Sequence, residues 1–419
     1  MSNLNATPSG ERIHIGLFGR RNAGKSSLIN ALTGQKLAVV ADVPGTTTDP
    51  VLKAMELLPL GPVLMMDTAG IDDTGKLGTL RVQKSLQMLN KTDIAIVVID
   101  SSTGITEEDR KLLQRIQDKE LACVVVFTKA DLAEGTESSA RTSATSNSKA
   151  DSAKDLPASI PQLTVSATTG KHIHELKELL AHIVPQKKAP FPICADLVQA
   201  GDTVLLVTPI DSAAPKGRLI LPQQQTIRDI IDTGASAIVT QENNVTQALE
   251  NLKTPPVMVI TDSQAFGKVN QAVPQEIKLT SFSILMARHK GNLEQAVLGV
   301  AALKDLKDGD RILISEGCTH HRQCGDIGTE KLPKWIREFT GKDFAMAWTS
   351  GTEFPTDLSP YRLIIHCGGC MLNEQEMQYR YRCAADQHVP MTNYGLCIAY
   401  THGILKRSLS VFPDLAEKL

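Results

Sequence analysis

Residues 19–26 read GRRNAGKS, and this stretch decides the fold of the first part of the chain. It fits the pattern G-x-x-x-x-G-K-[ST], follows an apolar run at residues 13–18 and precedes a helical pattern at residues 25–32. In such a loop, backbone N–H groups turn towards phosphate oxygens and the helix N-terminus adds its dipole. The stretch therefore predicts a strand, a phosphate-binding loop and a helix.

Strand and helix patterns alternate along the rest of this region. Apolar runs predict buried strands at residues 13–18, 63–66, 94–99, 121–127 and 163–165, and helical patterns between them lie at residues 25–32, 77–89, 107–116 and 173–183. This alternation predicts a mostly parallel sheet covered on both faces. Residues 134–159 are rich in Ser, Thr, Ala, Asn and Lys, which predicts a flexible insertion.

The length of 419 residues predicts more than one domain. Residues 185–192 (PQKKAPFP) have the composition of a linker. Two further sets of short apolar runs follow, at residues 204–207, 237–239 and 257–260 and then at 311–314, 344–347, 362–365 and 391–394. We therefore predict an α/β protein with three domains at residues 1–186, 190–276 and 277–419.

Composition excludes several classes of protein. The net charge is −2 and aromatic residues make up 4% of the chain, so nothing in the bulk charge predicts a nucleic-acid partner. The sequence has no run of 18 apolar residues, so it predicts no membrane span. The polar first residues lack the apolar core of a signal peptide. We expect a cytoplasmic protein, in which the eight cysteines are buried residues or metal ligands rather than disulfides.

Four further motifs follow the phosphate loop in the order that a GTPase requires. Residues 44–49 (PGTTTD) predict a first switch in which Thr47 binds Mg²⁺ and the γ-phosphate, and residues 67–70 (DTAG) end a predicted strand. Residues 128–131 (TKAD) resemble the guanine-reading N-K-x-D, since a carboxylate can accept from guanine N1–H and its amine. Ser166 and Ala167 fit the last base-contacting loop.

These motifs predict binding of GTP or GDP with Mg²⁺, and hydrolysis of GTP. The residues expected to act in hydrolysis are Lys25, Ser26, Thr47, Asp67 and Gly70. The residues expected to bind the nucleotide are Gly19, Asn22, Ala23, Gly24, Lys25, Ser26, Ser27, Thr47, Asp67, Gly70, Thr128, Lys129, Asp131, Ser166 and Ala167.

Three positions narrow the type of GTPase. Ile71 stands where Ras-like proteins carry a water-orienting Gln, which predicts slow or otherwise assisted hydrolysis. Asn22 lies where potassium-activated GTPases of the tRNA-modification and Era-like group carry an Asn, so K⁺ either replaces an arginine finger or Asn22 is a turn residue. Thr128 replaces the usual Asn of the guanine-reading motif, which predicts weaker guanine affinity.

Cysteines and histidines gather near two predicted strand ends in the last domain. Residues 318–320 (CTH) follow the run at 311–314, and residues 366–370 (HCGGC) follow the run at 362–365. Ligands gather outside the carboxyl ends of strands in doubly wound sheets, and C-x-x-C spacing lets two thiolates hold one metal centre. The candidate metal ligands are Cys318, Cys367, Cys370, His320 and His366.

Three cysteines are one ligand short of a Cys₄ site, so two kinds of metal centre are compatible with the sequence. One is zinc held by three Cys and one His, and the other is a [4Fe–4S] cluster with a labile or non-cysteine fourth ligand. Candidates for that ligand are His320 and His366, and after them His321, Cys324 or a carboxylate. Cys383 and Cys397 lie in helical patterns and are expected to be packing residues.

Together, the GTPase motifs and the C-x-H…H-C-x-x-C set resemble the HydF family, the GTPase scaffold proteins of [FeFe]-hydrogenase maturation. Residues 318–321 (CTHH), 326–336 (DIGTEKLPKWI) and 366–377 (HCGGCMLNEQEM) carry the resemblance most specifically. It covers the chain except the 134–159 insertion. The resemblance implies an Era-like GTP-binding domain, a small α/β dimerisation domain and an α/β iron–sulfur domain.

The resemblance also implies a cluster and a role. A [4Fe–4S] cluster would lie on Cys318, Cys367 and Cys370 with an exchangeable fourth position. A homodimer or higher homo-oligomer would receive a diiron precursor from two radical-SAM maturases and pass it to the apo-[FeFe]-hydrogenase. Two alternatives are an Era-like GTPase of tRNA modification or ribosome assembly with a structural zinc, and a redox enzyme with a catalytic cluster; the chain has no C-x₃-C-x₂-C pattern for the latter.

Overall fold

The chain forms two compact units, residues 1–187 and 188–419, in a computed structural model. The structure describes residues 7–34, 51–73, 75–131, 156–157, 159–184, 191–209, 219–317, 326–351 and 353–418. The predicted first switch at 44–49, most of the predicted insertion at 134–159 and the stretch from Cys318 to Cys324 lie outside these residues. No helix in the described ranges is long and apolar enough to cross a membrane.

The first unit contains a six-stranded sheet in the order β2-β3-β1-β4-β5-β6. Its strands are β1 Ile13–Phe18, β2 Val51–Leu57, β3 Gly61–Asp67, β4 Ile94–Asp100, β5 Ala122–Thr128 and β6 Gln162–Thr164. All neighbouring pairs are parallel except β2 with β3. Each apolar run of this region thus predicted a strand correctly, whereas β2 was not predicted.

Helices cover both faces of this sheet, as the alternation of patterns predicted. They are α1 Lys25–Thr33, α2 Gly75–Met88, α3 Glu107–Asp118 and α4 Ile173–His182. Side chains of β4 alternate between two cores, because successive residues of a strand point to opposite faces. Ile96 and Val98 pack with residues of α1 and α4, and Val97 and Ile99 pack with residues of α3.

The second unit contains two parallel four-stranded sheets. The first has the order β10-β9-β7-β8, from β7 Thr203–Val207, β8 Ser236–Thr240, β9 Met258–Thr261 and β10 Lys278–Ser281. The other has the order β12-β11-β13-β14, from β11 Arg311–Glu316, β12 Ala345–Ser350, β13 Leu363–His366 and β14 Met391–Asn393. One apolar cluster contains residues of both sheets, such as Leu205 and Leu313. The α/β class with parallel sheets is therefore confirmed.

Ten helices described in this unit surround the two sheets. They are α5 Leu221–Asp232, α6 Val245–Glu250, α7 Phe266–Ala272, α8 Phe282–Lys290, α9 Leu293–Val300, α10 Leu332–Thr340, α11 Glu374–Asp386, α12 Tyr394–Thr401, α13 Leu405–Ser408 and α14 Pro413–Ala416. Cys397 is fully buried on α12 and Cys383 packs against the same core from α11, so both are packing residues as predicted.

Candidate functional site

The phosphate loop lies between β1 and α1. Gly24 has φ +92° and stands at the N-cap of α1, a left-handed conformation that favours glycine. The side chain of Lys25 is buried, and its ammonium donates to the backbone carbonyls of Gly19 at 2.9 Å and Arg20 at 2.7 Å. The lysine therefore bridges two carbonyls of the loop. Its positive charge lies where a bound, negatively charged phosphate would contact it.

Two residues predicted to bind Mg²⁺ lie together beside this loop. The Ser26 hydroxyl donates to Oδ2 of Asp67, at the end of β3, over 2.7 Å. Burial raises the pKa of the Asp67 carboxyl above its usual value, although the Ser26 hydrogen bond and the Lys25 charge act in the opposite direction. Burial likewise lowers the pKa of Lys25, and the Asp67 carboxylate opposes that shift. A divalent cation between these groups would offset the cost of burying the carboxylate.

Two acidic residues after the DTAG motif hold the phosphate loop, and no sequence motif predicted them. Asp72 accepts a hydrogen bond from the backbone N–H of Arg21 at 2.7 Å. The Arg21 guanidinium pairs with Asp73 at 3.0 Å, and the Ile71 N–H donates to the Gly19 carbonyl at 3.3 Å. In the sequence, opposite charges indicate these contacts: two arginines lie in the phosphate loop and two aspartates lie shortly after DTAG.

The predicted base-reading residues meet at the ends of β5 and β6. The Thr128 hydroxyl donates to the Ala23 carbonyl of the phosphate loop at 2.6 Å. The Lys129 ammonium pairs with Asp100 at 2.7 Å, and the Ser166 hydroxyl donates to Asp131 at 2.7 Å. Asp131 is thus held in place by the loop predicted to contact the base. Asp100 is a further residue of this site that sequence reasoning missed.

The described residues of the predicted nucleotide site therefore lie at one edge of the sheet, at or just after the carboxyl ends of β1, β3, β5 and β6. They are Gly19, Asn22, Ala23, Gly24, Lys25, Ser26, Ser27, Asp67, Gly70, Thr128, Lys129, Asp131, Ser166 and Ala167. Thr47 lies outside the described residues. This edge is where parallel α/β sheets bind their ligands.

The C-x-x-C turn follows β13 in the second unit. The Cys367 sulfur accepts hydrogen bonds from the backbone N–H groups of Gly317 at 3.0 Å and Gly369 at 3.4 Å. Gly369 has φ +65°, which lets the turn bring its N–H back to the thiol. Gly317 follows β11, the neighbour of β13, and is the residue directly before Cys318 in the chain. The described end of the first segment, Gly317, therefore contacts the C-x-x-C turn, whereas Cys318 and His320 lie outside the described residues.

The second thiol of the turn is largely buried. Burial raises the pKa of Cys370 to about 11, with a further contribution from the Cys367 thiolate, whereas the positive charge of Lys290 acts in the opposite direction. The Lys290 ammonium donates to the Cys370 carbonyl at 3.0 Å. A buried thiol becomes a thiolate only when a nearby cation, such as a bound metal ion, balances its negative charge.

His366 belongs to a buried hydrogen-bond network. Its Nδ1 contacts the Cys367 carbonyl at 2.7 Å, and its Nε2 contacts the Arg380 guanidinium at 3.0 Å. Because Arg380 can only donate, this geometry requires the tautomer with the proton on Nδ1. Arg380 is fully buried and also bonds Glu376 at 2.9 Å and Ser315 at 3.0 Å. Both ring nitrogens of His366 thus have protein partners.

Two of the five candidate metal ligands are close together, because Cys367 and Cys370 share one turn. Cys318 and His320 lie outside the described residues, and within the described ranges no group of three or more His, Cys, Asp and Glu side chains has the geometry of a metal site. The two N–H bonds to the Cys367 sulfur fit a thiolate, the form in which cysteine binds iron or zinc.

The parallel sheet, the phosphate loop and the residues at its edge define the first unit as a P-loop GTPase domain. Residues 14–129 match the family model of the 50S ribosome-binding GTPases, and residues 79–186 match the GTP-binding domain of elongation factor Tu. The second unit matches two models made for one family, the hydrogen maturase F dimerization domain at 193–291 and its tetramerization domain at 294–411. The chain belongs to the hydrogen maturase F (HydF) family.

Curated relatives match the GTPase domain. The tRNA modification GTPase MnmE of Moorella thermoacetica is 34% identical over 177 residues, which is 42% of this chain and 35% of that protein. GTPase Der of Heliobacterium modesticaldum is 33% identical over 180 residues, 42% of this chain and 40% of that protein. The chain thus spans less than half the length of these relatives.

Matches among solved structures include Era in complex with MgGDPNP and nucleotides 1506–1542 of 16S ribosomal RNA. The chain matches it with a TM-score of 0.36 and 20% identity, over 54% of this chain and 91% of that one. The cytosolic domain of the T. maritima FeoB iron transporter in its GMPPNP form matches with a TM-score of 0.31 and 25% identity, over 42% of this chain and 66% of that one.

Proposed function

We propose that this chain is a GTP-hydrolysing scaffold and carrier of [FeFe]-hydrogenase maturation. It would hold a [4Fe–4S] cluster on Cys318, Cys367 and Cys370, receive a diiron precursor from radical-SAM maturases in the cytoplasm, and pass it to the apo-hydrogenase. The observation that carries the proposal is the C-x-x-C turn, whose Cys367 sulfur is bonded by the N–H of the residue preceding Cys318. The match to both HydF domain models supports it.

The GTP part of the proposal rests on the edge of the first sheet. Lys25, Ser26 and Asp67 would hold the phosphates and Mg²⁺, with Thr47 completing the Mg²⁺ site and the Gly70 N–H contacting the γ-phosphate. The aliphatic side chain of Ile71 packs against the core of its unit. It has no polar group with which to orient an attacking water. Hydrolysis is therefore expected to be slow unless a cation assists it.

Potassium is the proposed assisting cation, and Asn22 its protein ligand. Asn22 is exposed in the phosphate loop with φ +57°. We expect the hydrolysis rate to be higher in K⁺ than in Na⁺ at equal ionic strength, and Asn22→Ala to remove the difference. Equal rates in the two salts would refute the potassium role and leave the GTPase assignment intact.

The metal part rests on the thiols and their surroundings. A cluster held by three thiolates would keep one iron position free to exchange ligands with an incoming diiron fragment. The chain would contribute Cys367 with its two N–H bonds and Cys370, whose carbonyl accepts from Lys290. None of the six described cysteines is in a disulfide, which suits a reducing compartment.

The fourth ligand remains a choice between His320 and His366, followed by His321, Cys324 or a carboxylate. Binding of iron by His366 would require Nε2 to give up its bond with Arg380. EPR spectra of His320→Ala and His366→Ala test the two histidines separately. A cluster signal unchanged by both substitutions would remove His320 and His366 from consideration.

The division of labour follows the three proposed domains, residues 1–186 for GTP, 190–276 for dimerisation and 277–419 for the cluster. A homo-oligomer is supported by the matches to a dimerization and a tetramerization domain. We propose that the nucleotide state biases the affinity for one partner over another. Identical binding of the apo-hydrogenase in GTP and in GDP would refute this switch.

The decisive experiment is anaerobic purification followed by analysis of iron and sulfide. The proposal expects a brown protein with iron in place of zinc, a [4Fe–4S] EPR signal on reduction, and loss of both in Cys367→Ser. Activation of apo-hydrogenase by the loaded protein is the functional readout. Zinc without iron would instead favour a structural metal site.

A further inference from the structure

Lys290 is a buried cation at the C-x-x-C turn. It is the last residue of α8, and its side chain is 4% exposed. Its ammonium donates to the carbonyl of Cys370 at 3.0 Å and to the carbonyl of Leu372 at 3.1 Å. Lysine is almost never buried to this degree without a partner that offsets its desolvation, so its position calls for a specific reason.

The two hydrogen bonds hold the turn from outside. Cys370 and Leu372 are two residues apart, so one ammonium joins both ends of the segment that leaves the C-x-x-C motif and enters α11. Asn373 then caps α11 through the Glu376 N–H at 3.1 Å. The backbone that carries the Cys370 sulfur is therefore fixed by Lys290 on one side and by this cap on the other.

The charge of Lys290 also acts on the thiols. Carbonyl oxygens accept its hydrogen bonds but carry no net negative charge, whereas the thiolate of Cys370 does. The Lys290 ammonium lies 3.0 Å from the Cys370 carbonyl oxygen, so its charge is close to any metal centre bound by that residue's sulfur. Thiolates that hold a metal centre make the assembly more negative, and a buried cation a few ångströms away stabilises that charge strongly because screening is weak there.

We propose that Lys290 is a positioning residue that fixes the C-x-x-C turn for metal binding and whose charge raises the reduction potential of the bound centre. The inference rests on the proposed cluster site. Reduction adds negative charge, so a nearby cation stabilises the reduced form more than the oxidised form. Lys290 belongs to the segment that matches the dimerization domain, and Cys370 to the segment that matches the tetramerization domain. The contact therefore joins the two matched segments at the thiol turn.

Two substitutions separate the hydrogen bonds from the charge. Lys290→Gln keeps an N–H donor and removes the charge, and Lys290→Met removes both while keeping an apolar stem. Lys278→Met is the matched control, since that lysine is exposed at the start of β10. Each full-length variant is reconstituted anaerobically, and its iron content and its midpoint potential by EPR-monitored redox titration are measured.

The expected result is a lower midpoint potential in both Lys290 variants and a loss of iron affinity of about 10-fold or more in Lys290→Met. The Lys278→Met protein should match the wild type. A wild-type potential in folded Lys290→Gln overturns the role of the charge, and wild-type iron content in Lys290→Met overturns the positioning role. If Lys290→Met does not fold, the failure to fold itself supports the positioning role, and the potential of Lys290→Gln decides the role of the charge. Absence of iron from the wild type would instead refute the proposed cluster.

Discussion

The Thr128 hydroxyl donates a hydrogen bond of 2.6 Å to the Ala23 carbonyl, so the base-reading loop is tied directly to the phosphate loop. The hydroxyl also lies 3.2 Å from the Ile99 carbonyl on β4. The predicted guanine-reading motif has Thr in place of the usual Asn. Because the two loops lie close together here, the short Thr128 side chain reaches the phosphate loop. Thr128 therefore connects the predicted base-reading loop directly to the phosphate loop.

We expect Thr128→Ala to weaken nucleotide binding, because the buried Ala23 carbonyl loses its donor and the two loops separate. The expected loss is about 1–2 kcal/mol, roughly 5- to 30-fold in Kd. Titration with a fluorescent GDP analogue measures it. Thr128→Ser keeps the hydroxyl and should stay near the wild type. An unchanged Kd in Thr128→Ala would show that the hydrogen bond does not contribute to binding.

Neutralising Asp73 should strengthen triphosphate binding. Asp73 pairs with Arg21 of the phosphate loop at 3.0 Å and acts electrostatically on Lys25. In Asp73→Asn one negative charge leaves the surroundings of the phosphates, and Arg21 gains freedom to approach them. Since Arg21 is partly exposed, the expected gain in GTP affinity is modest, about 2- to 5-fold at low salt and less at high salt.

The exposed Asp118, at the end of α3, supplies the control for this experiment. Asp118→Asn changes the net charge by the same amount at a position away from the phosphate loop. Equal affinities of the two variants at every salt concentration would mean that Asp73 has no local effect.

Asp67→Asn should stabilise the nucleotide-free protein while weakening Mg²⁺-dependent GTP binding. The pKa of Asp67 is raised in the folded state, chiefly by burial. A carboxyl with a raised folded pKa destabilises the fold above that pKa; the penalty shrinks as the pH falls through the folded pKa and is gone below the unfolded pKa. At neutral pH the amide avoids the penalty, so we expect a gain of roughly 1 kcal/mol or less. Thermal unfolding without nucleotide at pH 7 measures it, and a lower Tm in the variant would contradict the argument.

Removing Arg380 should destabilise the second unit strongly. Its guanidinium is fully buried and bonds Glu376 at 2.9 Å, so Arg380→Met leaves an unpaired buried carboxylate. The expected loss is about 3–5 kcal/mol of unfolding free energy. The double variant Glu376→Met, Arg380→Met removes both charges and should lose less than the sum of the single variants. Urea denaturation of the three proteins gives the coupling, and strict additivity would mean that the pair does not interact.

The ion pair between Asp196 and Arg288 should make stability depend on acid pH. Arg288 donates to Asp196 at 2.8 Å and through a second N–H, and this hydrogen bond lowers the pKa of Asp196. A depressed folded pKa means that the stabilisation is present above the unfolded pKa and is lost as the pH falls through the folded pKa. The pair is partly exposed, so its contribution is small. Asp196→Asn should be less stable than the wild type at pH 6 and equal to it in strong acid.

The elements that sequence patterns predicted are those with local signals. The strands β1, β4 and β5 are continuous apolar runs because both faces are buried, and such runs are visible without a structure. Strand β2 was missed because it is an edge strand with every second residue exposed, including Leu52 and Glu56. Strand β2 pairs with β3 in the antiparallel direction. The alternation of strand and helix patterns predicts parallel strands and gives no information about an antiparallel edge strand.

The phosphate loop, the nucleotide motifs and the C-x-x-C turn were determined by the sequence alone, because each depends on residue types at short fixed spacing. The tertiary structure decided which distant residues complete them. Thr128 meets Ala23 across 105 residues, and Lys290 meets Cys370 across 80. No local pattern specifies such contacts, since they arise when sheets and helices pack and bring buried polar groups within hydrogen-bond distance. Burial then requires that each of these groups find a partner, and the fold supplies it.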